Sequence, residues 1–166
     1  DPLPAEHGAP LRITIPGHYG MKQPKWLDTL TLANVDGPGF WVDRGWTKQA
    51  VPTTISFIDT VVEVTPPGTS QRRLAIGGEA YAADRGISKV EVQMDNGPWQ
   101  AGELRTPPLS PLTWVQWRFD QDYVSGRHNF RVRTYDGTGV LQPTGEQPPE
   151  PLGATGIFSY AVDLPE

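Results

Sequence analysis

Eighteen glycines and eighteen prolines stand among the 166 residues, so about a fifth of the chain interrupts regular structure, against roughly 12% in an average protein. Proline lacks the backbone donor a helix needs, and glycine loses the most conformational freedom when fixed in one. Long helices are therefore nearly excluded. The length suits one domain, or one domain with an appended arm, and is enough to bury a core without staples. Cysteine is absent, which removes disulfides, thiolate metal ligands and cysteine nucleophiles. The net charge of −5 and pI near 5.2 oppose the attraction that nucleic acid or anionic lipid requires, so neither partner is expected. No run approaches the ~20 apolar residues of a membrane-crossing helix, and Asp1-Pro2-Leu3-Pro4 lacks the layout of a signal peptide. A soluble chain is expected.

Proline clusters at Pro66-Pro67, Pro107-Pro108 with Pro111, and Pro148-Pro149 with Pro151 mark loops between runs of period two. Residues 87–95 alternate Val90, Val92 and Met94 with Lys89, Glu91 and Gln93, as a strand does with one face buried and one wet. Asn96-Gly97 follows and predicts a hairpin turn. Residues 55–64, 72–80, 113–120, 127–135 and 156–164 repeat the strand signature. An all-β antiparallel sandwich of about seven short strands follows. Trp114 and Trp117, three apart in a strand pattern, are expected on opposite sides, one in the core and one at the surface. Gly77-Gly78, inside a strand pattern, predicts a bulge or a close backbone approach.

The first fifty residues are less periodic. Residues 11–15 and 29–32 read as short strands, and an aromatic-rich stretch from Phe40 to Trp46 is irregular. The predicted division is an irregular arm over 1–51 and the sandwich over 52–166. His7, His18 and His128 show no metal-ligand spacing, so no metal site is expected. No nucleophile elbow, phosphate loop or dinucleotide fingerprint occurs either. His7, Arg12, Lys22 and Lys25 nevertheless lie close together on a Gly- and Pro-rich backbone. Such a set can present donors and cations to a phosphate-bearing ligand, or can be solvated loop charges.

The order His7-Gly8-x-Pro10-x-Arg12, Pro16-Gly17-x-Tyr19-Gly20, Lys25-Trp26-Leu27 and Trp41-Val42-Asp43-Arg44-Gly45-Trp46 resembles the C-terminal part of the sulfite oxidase family of molybdopterin oxidoreductases. Gly77 to Tyr81, Ile87 to Val92, Trp114 to Trp117 and Arg131 to Gly137 resemble that family's immunoglobulin-like dimerisation domain. The resemblance implies that the arm is the tail of the molybdopterin-binding catalytic domain. It implies that His7, Arg12, Gln23, Pro24 and Lys25 hold the pyranopterin and its phosphate, and that Trp46 stands where animal sulfite oxidases carry an active-site tyrosine. An indole donates one hydrogen bond but neither accepts one nor acts as an acid, so sulfite chemistry at Trp46 is weakly supported. The family's molybdenum-ligand cysteine must come from an N-terminal catalytic domain missing here, so Mo-molybdopterin belongs to the intact enzyme and this piece is not expected to retain it or turn over alone. The resemblance also implies a homodimer and an extracytoplasmic or periplasmic location. The competing reading is a stand-alone fibronectin-type or carbohydrate-binding sandwich with exposed Trp rings as its platform; such a module has no need of the His7, Arg12 and Lys25 set.

Overall fold

The computed structural model describes residues 2–166. Its seven strands are β1 (Ile55–Val64), β2 (Arg73–Tyr81), β3 (Ile87–Met94), β4 (Gln100–Leu104), β5 (Val115–Asp122), β6 (Gly126–Asp136) and β7 (Phe158–Leu164). All pair antiparallel, in the order β1-β2-β5-β4-β3-β6-β7. β4 bonds to both β3 and β5 and so carries the sheet around its corner, while β1 returns to pack against β6 and β7. The result is the all-β, immunoglobulin-like sandwich, nearly closed.

Alternation explains why these residues make these strands. Val115, Trp117 and Phe119 of β5 are buried while Gln116, Arg118 and Asp120 are exposed. Phe130 and Val132 of β6, Val90 and Val92 of β3, and Leu74 and Ile76 of β2 complete the core. Residues whose period matches the pleat bury one whole face at once, which is where the driving force lies. Trp117 is 3% exposed, whereas Trp114 is 44% exposed, so the pair divides between core and surface as its spacing predicts. Trp114 stacks on Tyr81 at 4.9 Å and on Phe57 at 5.7 Å.

Gly77-Gly78 faces a register shift between Ile58 and Thr60 of β1, the bulge its position predicts. The hairpin at Asn96-Gly97 is also present, closed by the Gly97 amide on the Met94 carbonyl. Its positive φ falls on Asp95, at 52°, one residue before the Asn-Gly pair that signals the turn. Asp95 is anchored there: its carboxylate accepts from the Asn129 amide at 3.0 Å and meets the His128 ring at 3.1 Å.

β6 ends in a buried carboxylate that organises the following turn. Asp136 accepts from the Thr138 hydroxyl at 2.6 Å, the Thr138 and Val140 amides at 3.0 and 3.1 Å, and Arg85 at 3.1 Å. Burial alone would raise its pKa. The Thr138 and Val140 donors and the Arg85 charge outweigh it and hold the carboxyl below the usual Asp range. A depressed folded pKa contributes stability that is present above the unfolded value and lost as pH falls through the folded one. The melting temperature of the protein is therefore expected to exceed that of Asp136→Asn at neutral pH, with the gap closing below about pH 4; a gap that does not change with pH would contradict the assignment.

Contacts divide the chain into two units. One is Thr53–Gln147 with Thr155–Glu166, the sandwich; the other is Asp1–Pro52 with Pro148–Ala154. The second unit has three short 3-10 turns, Ala5–His7, Gly20–Lys22 and Val42–Arg44, and no strand among its described residues. The strands expected at residues 11–15 and 29–32 are thus absent. Around the first, the Ile13 amide reaches the Pro24 carbonyl and the Leu27 amide the Leu11 carbonyl, two bonds that a proline-containing partner cannot extend into a ladder. The second has no partner strand.

Candidate functional site

The arm is built around one glycine. Gly8 is buried, has φ of 114°, and caps the Ala5–His7 turn through its amide on the Ala5 carbonyl. A Cβ added there would lie 3.0 Å from the Lys25 Cβ and 3.3 Å from the Arg12 Cβ. Only glycine combines this left-handed backbone with so close an approach. The turn therefore gathers the stems of Arg12 and Lys25, thirteen residues apart in sequence, directly after His7. Trp26 locks the crossing: its amide donates to the Gly8 carbonyl at 3.1 Å and its indole to the Ala5 carbonyl at 2.6 Å. It does so at φ of 55°, a strained backbone for an aromatic residue.

The polar groups of this cluster are unequally committed. The Lys25 ammonium donates to the Glu6 carbonyl at 3.1 Å and lies 5.5 Å from the Trp26 ring, leaving two of its three N–H donors. The exposed side chains of Arg12 and His7 bond to nothing among the described residues. Gln23 instead uses its amide donors on the carbonyls of Ile15 and His18, at 3.3 and 3.1 Å. Its neighbour Pro24 gives its carbonyl to the Ile13 amide. These two residues hold the turn that presents the cations, and only the Gln23 carbonyl oxygen is left to face a ligand. The arrangement offers a guanidinium, an ammonium and an imidazole with no carboxylate paired to any of them among the described residues, which suits an anion.

Trp46 sits on a separate aromatic turn. It is half-buried, meets Trp41 edge to face at 6.2 Å, and sends its amide to the Trp41 carbonyl. Arg44 covers Phe40 at 3.5 Å on the same turn. The indole N–H of Trp46 has no partner among the described residues. No hydrogen bond or ring contact among those residues joins this turn to the Gly8 cluster. Trp26 stands in the Lys25-Trp26-Leu27 motif, but its role in locking the crossing is not legible there; a tryptophan next to a lysine carries no mark of positive φ.

Residues 1–41 match the oxidoreductase molybdopterin binding domain family. The chain is 28% identical over 137 residues to mitochondrial sulfite oxidase of Rattus norvegicus, covering 72% of this chain and 25% of that protein. It is 24% identical over 180 aligned positions to the NADH nitrate reductase of Hordeum vulgare, covering 86% of this chain and 20% of the relative. It thus spans about a quarter of the length of such relatives. The sulfane dehydrogenase SoxCD of Paracoccus pantotrophus superposes with a TM-score of 0.71 at 23% identity, over 97% of this chain and 46% of that one; that likeness is one of fold. With residues 1–41 matching that family model and most of the chain aligning to sulfite oxidases, the protein is similar to the C-terminal region of the sulfite oxidase family of molybdopterin oxidoreductases.

Proposed function

We propose that the chain is the C-terminal dimerisation segment of a sulfite-oxidase-like molybdenum oxidoreductase, whose arm contributes contacts to a molybdopterin cofactor and which is not active alone. The observation that carries this reading is the Gly8 cluster, where Arg12 and Lys25 leave one turn and the Arg12 guanidinium has no partner among the described residues. An exposed cation with no carboxylate beside it among the described residues, on a turn that only glycine permits, fits the phosphate of a pterin cofactor by its donor set. When bound, that cofactor supplies oxygen-atom transfer with two-electron chemistry at molybdenum.

In this reading Arg12 and Lys25 hold the phosphate through charge-assisted bonds, His7 orients the pterin edge, and Gln23 and Pro24 keep the turn in place. Trp46 offers one hydrogen bond from its free indole N–H near the reacting groups and moves no proton. The molybdenum ligand comes from an upstream domain, since this chain has no cysteine. A homodimer and an extracytoplasmic location belong to the same reading through the family likeness. Substrate identity stays at the level of a small molecule, with sulfite one candidate among the family's substrates.

The test is cofactor retention in the intact enzyme. A charge-assisted hydrogen bond contributes about 1.5–3 kcal/mol, so Arg12→Ala is expected to weaken molybdopterin retention by roughly ten- to a hundredfold. Pterin fluorescence after oxidative release reads the content, and Arg12→Lys should recover part of it. Because the Arg12 side chain is exposed and bonds to nothing among the described residues, the melting temperature of the isolated chain should stay put. Wild-type pterin content in Arg12→Ala would refute the role.

A further inference from the structure

Residues 28–35 are exposed throughout, with Leu30 at 76% and Leu32 at 96%. No backbone amide or carbonyl of this run takes part in a hydrogen bond among the described residues. The last bonded amide before it is that of Leu27, and after it Asp36 is fastened to Lys48. Eight consecutive residues thus carry a full set of unpaired donors and acceptors. Exposed as it is, the run is hydrated in this chain, and any surface that covers its leucines must also supply partners for its amides and carbonyls, because buried backbone groups are paired.

The side chains show what kind of pairing is missing. Thr29-Leu30-Thr31-Leu32 alternates with period two, placing both leucines on one face of an extended chain and both threonines on the other. Threonine is a strand former, and no proline or glycine interrupts 26–35. Asp28 is the one ionisable side chain between Trp26 and Val35, so no cation would draw this run to an anionic lipid surface. A charge-poor, alternating, unbonded segment fits the edge of a β-sheet.

We propose that residues 29–32 are a β-strand that adds to the edge of a sheet in the rest of the molybdopterin-binding domain, with Leu30 and Leu32 packing on that domain's core. The family match spans 1–41 and so contains this run whole. Relatives of the chain extend well beyond the quarter of their length that it spans, and it is that further polypeptide which supplies the edge. This inference rests on the functional reading above, since it needs the same upstream domain.

Hydrogen–deuterium exchange with fragment resolution over 28–35 tests it. In the 166-residue chain these amides should exchange at the rate of an unstructured peptide. In the intact oxidoreductase the amides of 29–32 should slow by roughly a hundredfold or more, as buried ladder amides do. Thr31→Pro removes one donor without touching any bond of the isolated chain. It should leave that chain's melting temperature unchanged while restoring fast exchange at the neighbouring positions in the intact enzyme. Equal, fast exchange in both proteins overturns the inference. Protection that rises with concentration in the isolated chain also overturns it, because the partner is then a second copy. Molybdopterin content is measured on the same sample: a cofactor-loaded enzyme with fast 29–32 amides sinks the strand and leaves the functional reading standing, whereas an enzyme without cofactor sinks that reading first.

Discussion

Gln142→Leu is expected to destabilise the sandwich by about 2–5 kcal/mol. Gln142 is 2% exposed. Its carbonyl oxygen accepts from the Ser56 hydroxyl at 2.8 Å and from the Thr134 amide at 2.9 Å, and its amide donates to the Gly156 carbonyl at 2.8 Å. One side chain therefore ties β1, β6 and the approach to β7. Leucine has a similar volume, so no large cavity opens; the loss comes from two buried polar groups, the Ser56 hydroxyl and the Thr134 amide, and the half-buried Gly156 carbonyl, all left without this partner. Each such orphan costs roughly 1–3 kcal/mol, and the cost is not strictly additive where the groups relax together. Urea unfolding reads the effect as a lower midpoint at unchanged slope. A loss below about 1 kcal/mol would mean that water replaces the network and that Gln142 is not the tie it is taken to be.

Gly78→Ala is expected to cost about 2–4 kcal/mol, near the upper end for adding one methyl to a packed core. The new Cβ would overlap the Phe57 carbonyl oxygen and stand 2.7 Å from Cζ2 of the Trp117 ring. Phe57 belongs to the part of β1 just before the bulge, and its carbonyl cannot move without disturbing the ladder. The neighbouring glycine is the control. A Cβ at Gly77 meets the Thr60 methyl group at 3.2 Å and the Trp117 carbonyl at 3.5 Å, so Gly77→Ala should stay within roughly 1 kcal/mol of the parent. Combining Gly78→Ala with Trp117→Phe removes the ring conflict but not the carbonyl conflict. The double variant should regain none of the loss caused by the carbonyl, and full recovery would show that the ring alone made glycine necessary.

The strands were legible because their information is local. Val90, Val92 and Met94 announce a buried face by spacing alone, and the Gly77-Gly78 pair announces a bulge by having no side chains to pack. Gln142 announces nothing: a glutamine between Leu141 and Pro143 in a Gly- and Pro-rich stretch reads as a solvated loop residue, and its three partners lie 8 to 86 residues away. The arm shows both cases. Arg12 and Lys25 were visible as cations on a turn-rich backbone, but their meeting at Gly8 depends on the tryptophan at positive φ, which no spacing rule predicts. Gln23 and Pro24 were visible too, yet their polar groups serve the turn itself. The period of residues 29–32 predicts a strand, and among the described residues nothing pairs with it. A period reports what a segment can bury, whereas a ladder also needs a neighbour.

The excursion of Pro148–Ala154 out of the sandwich, between Gln147 and Thr155 that pair with each other, has a practical result for anyone trimming this protein. The Pro151 carbonyl receives the Thr47 amide and the Leu152 carbonyl the Tyr19 hydroxyl, so the excursion is bonded to the arm. Removing residues 1–52 would leave the β-domain carrying a proline-rich graft stripped of the hosts it was bonded to. A single protease cut after Pro52 would then leave the arm attached to the graft through non-covalent bonds alone, so denaturant and not a further cut is what would separate the fragments.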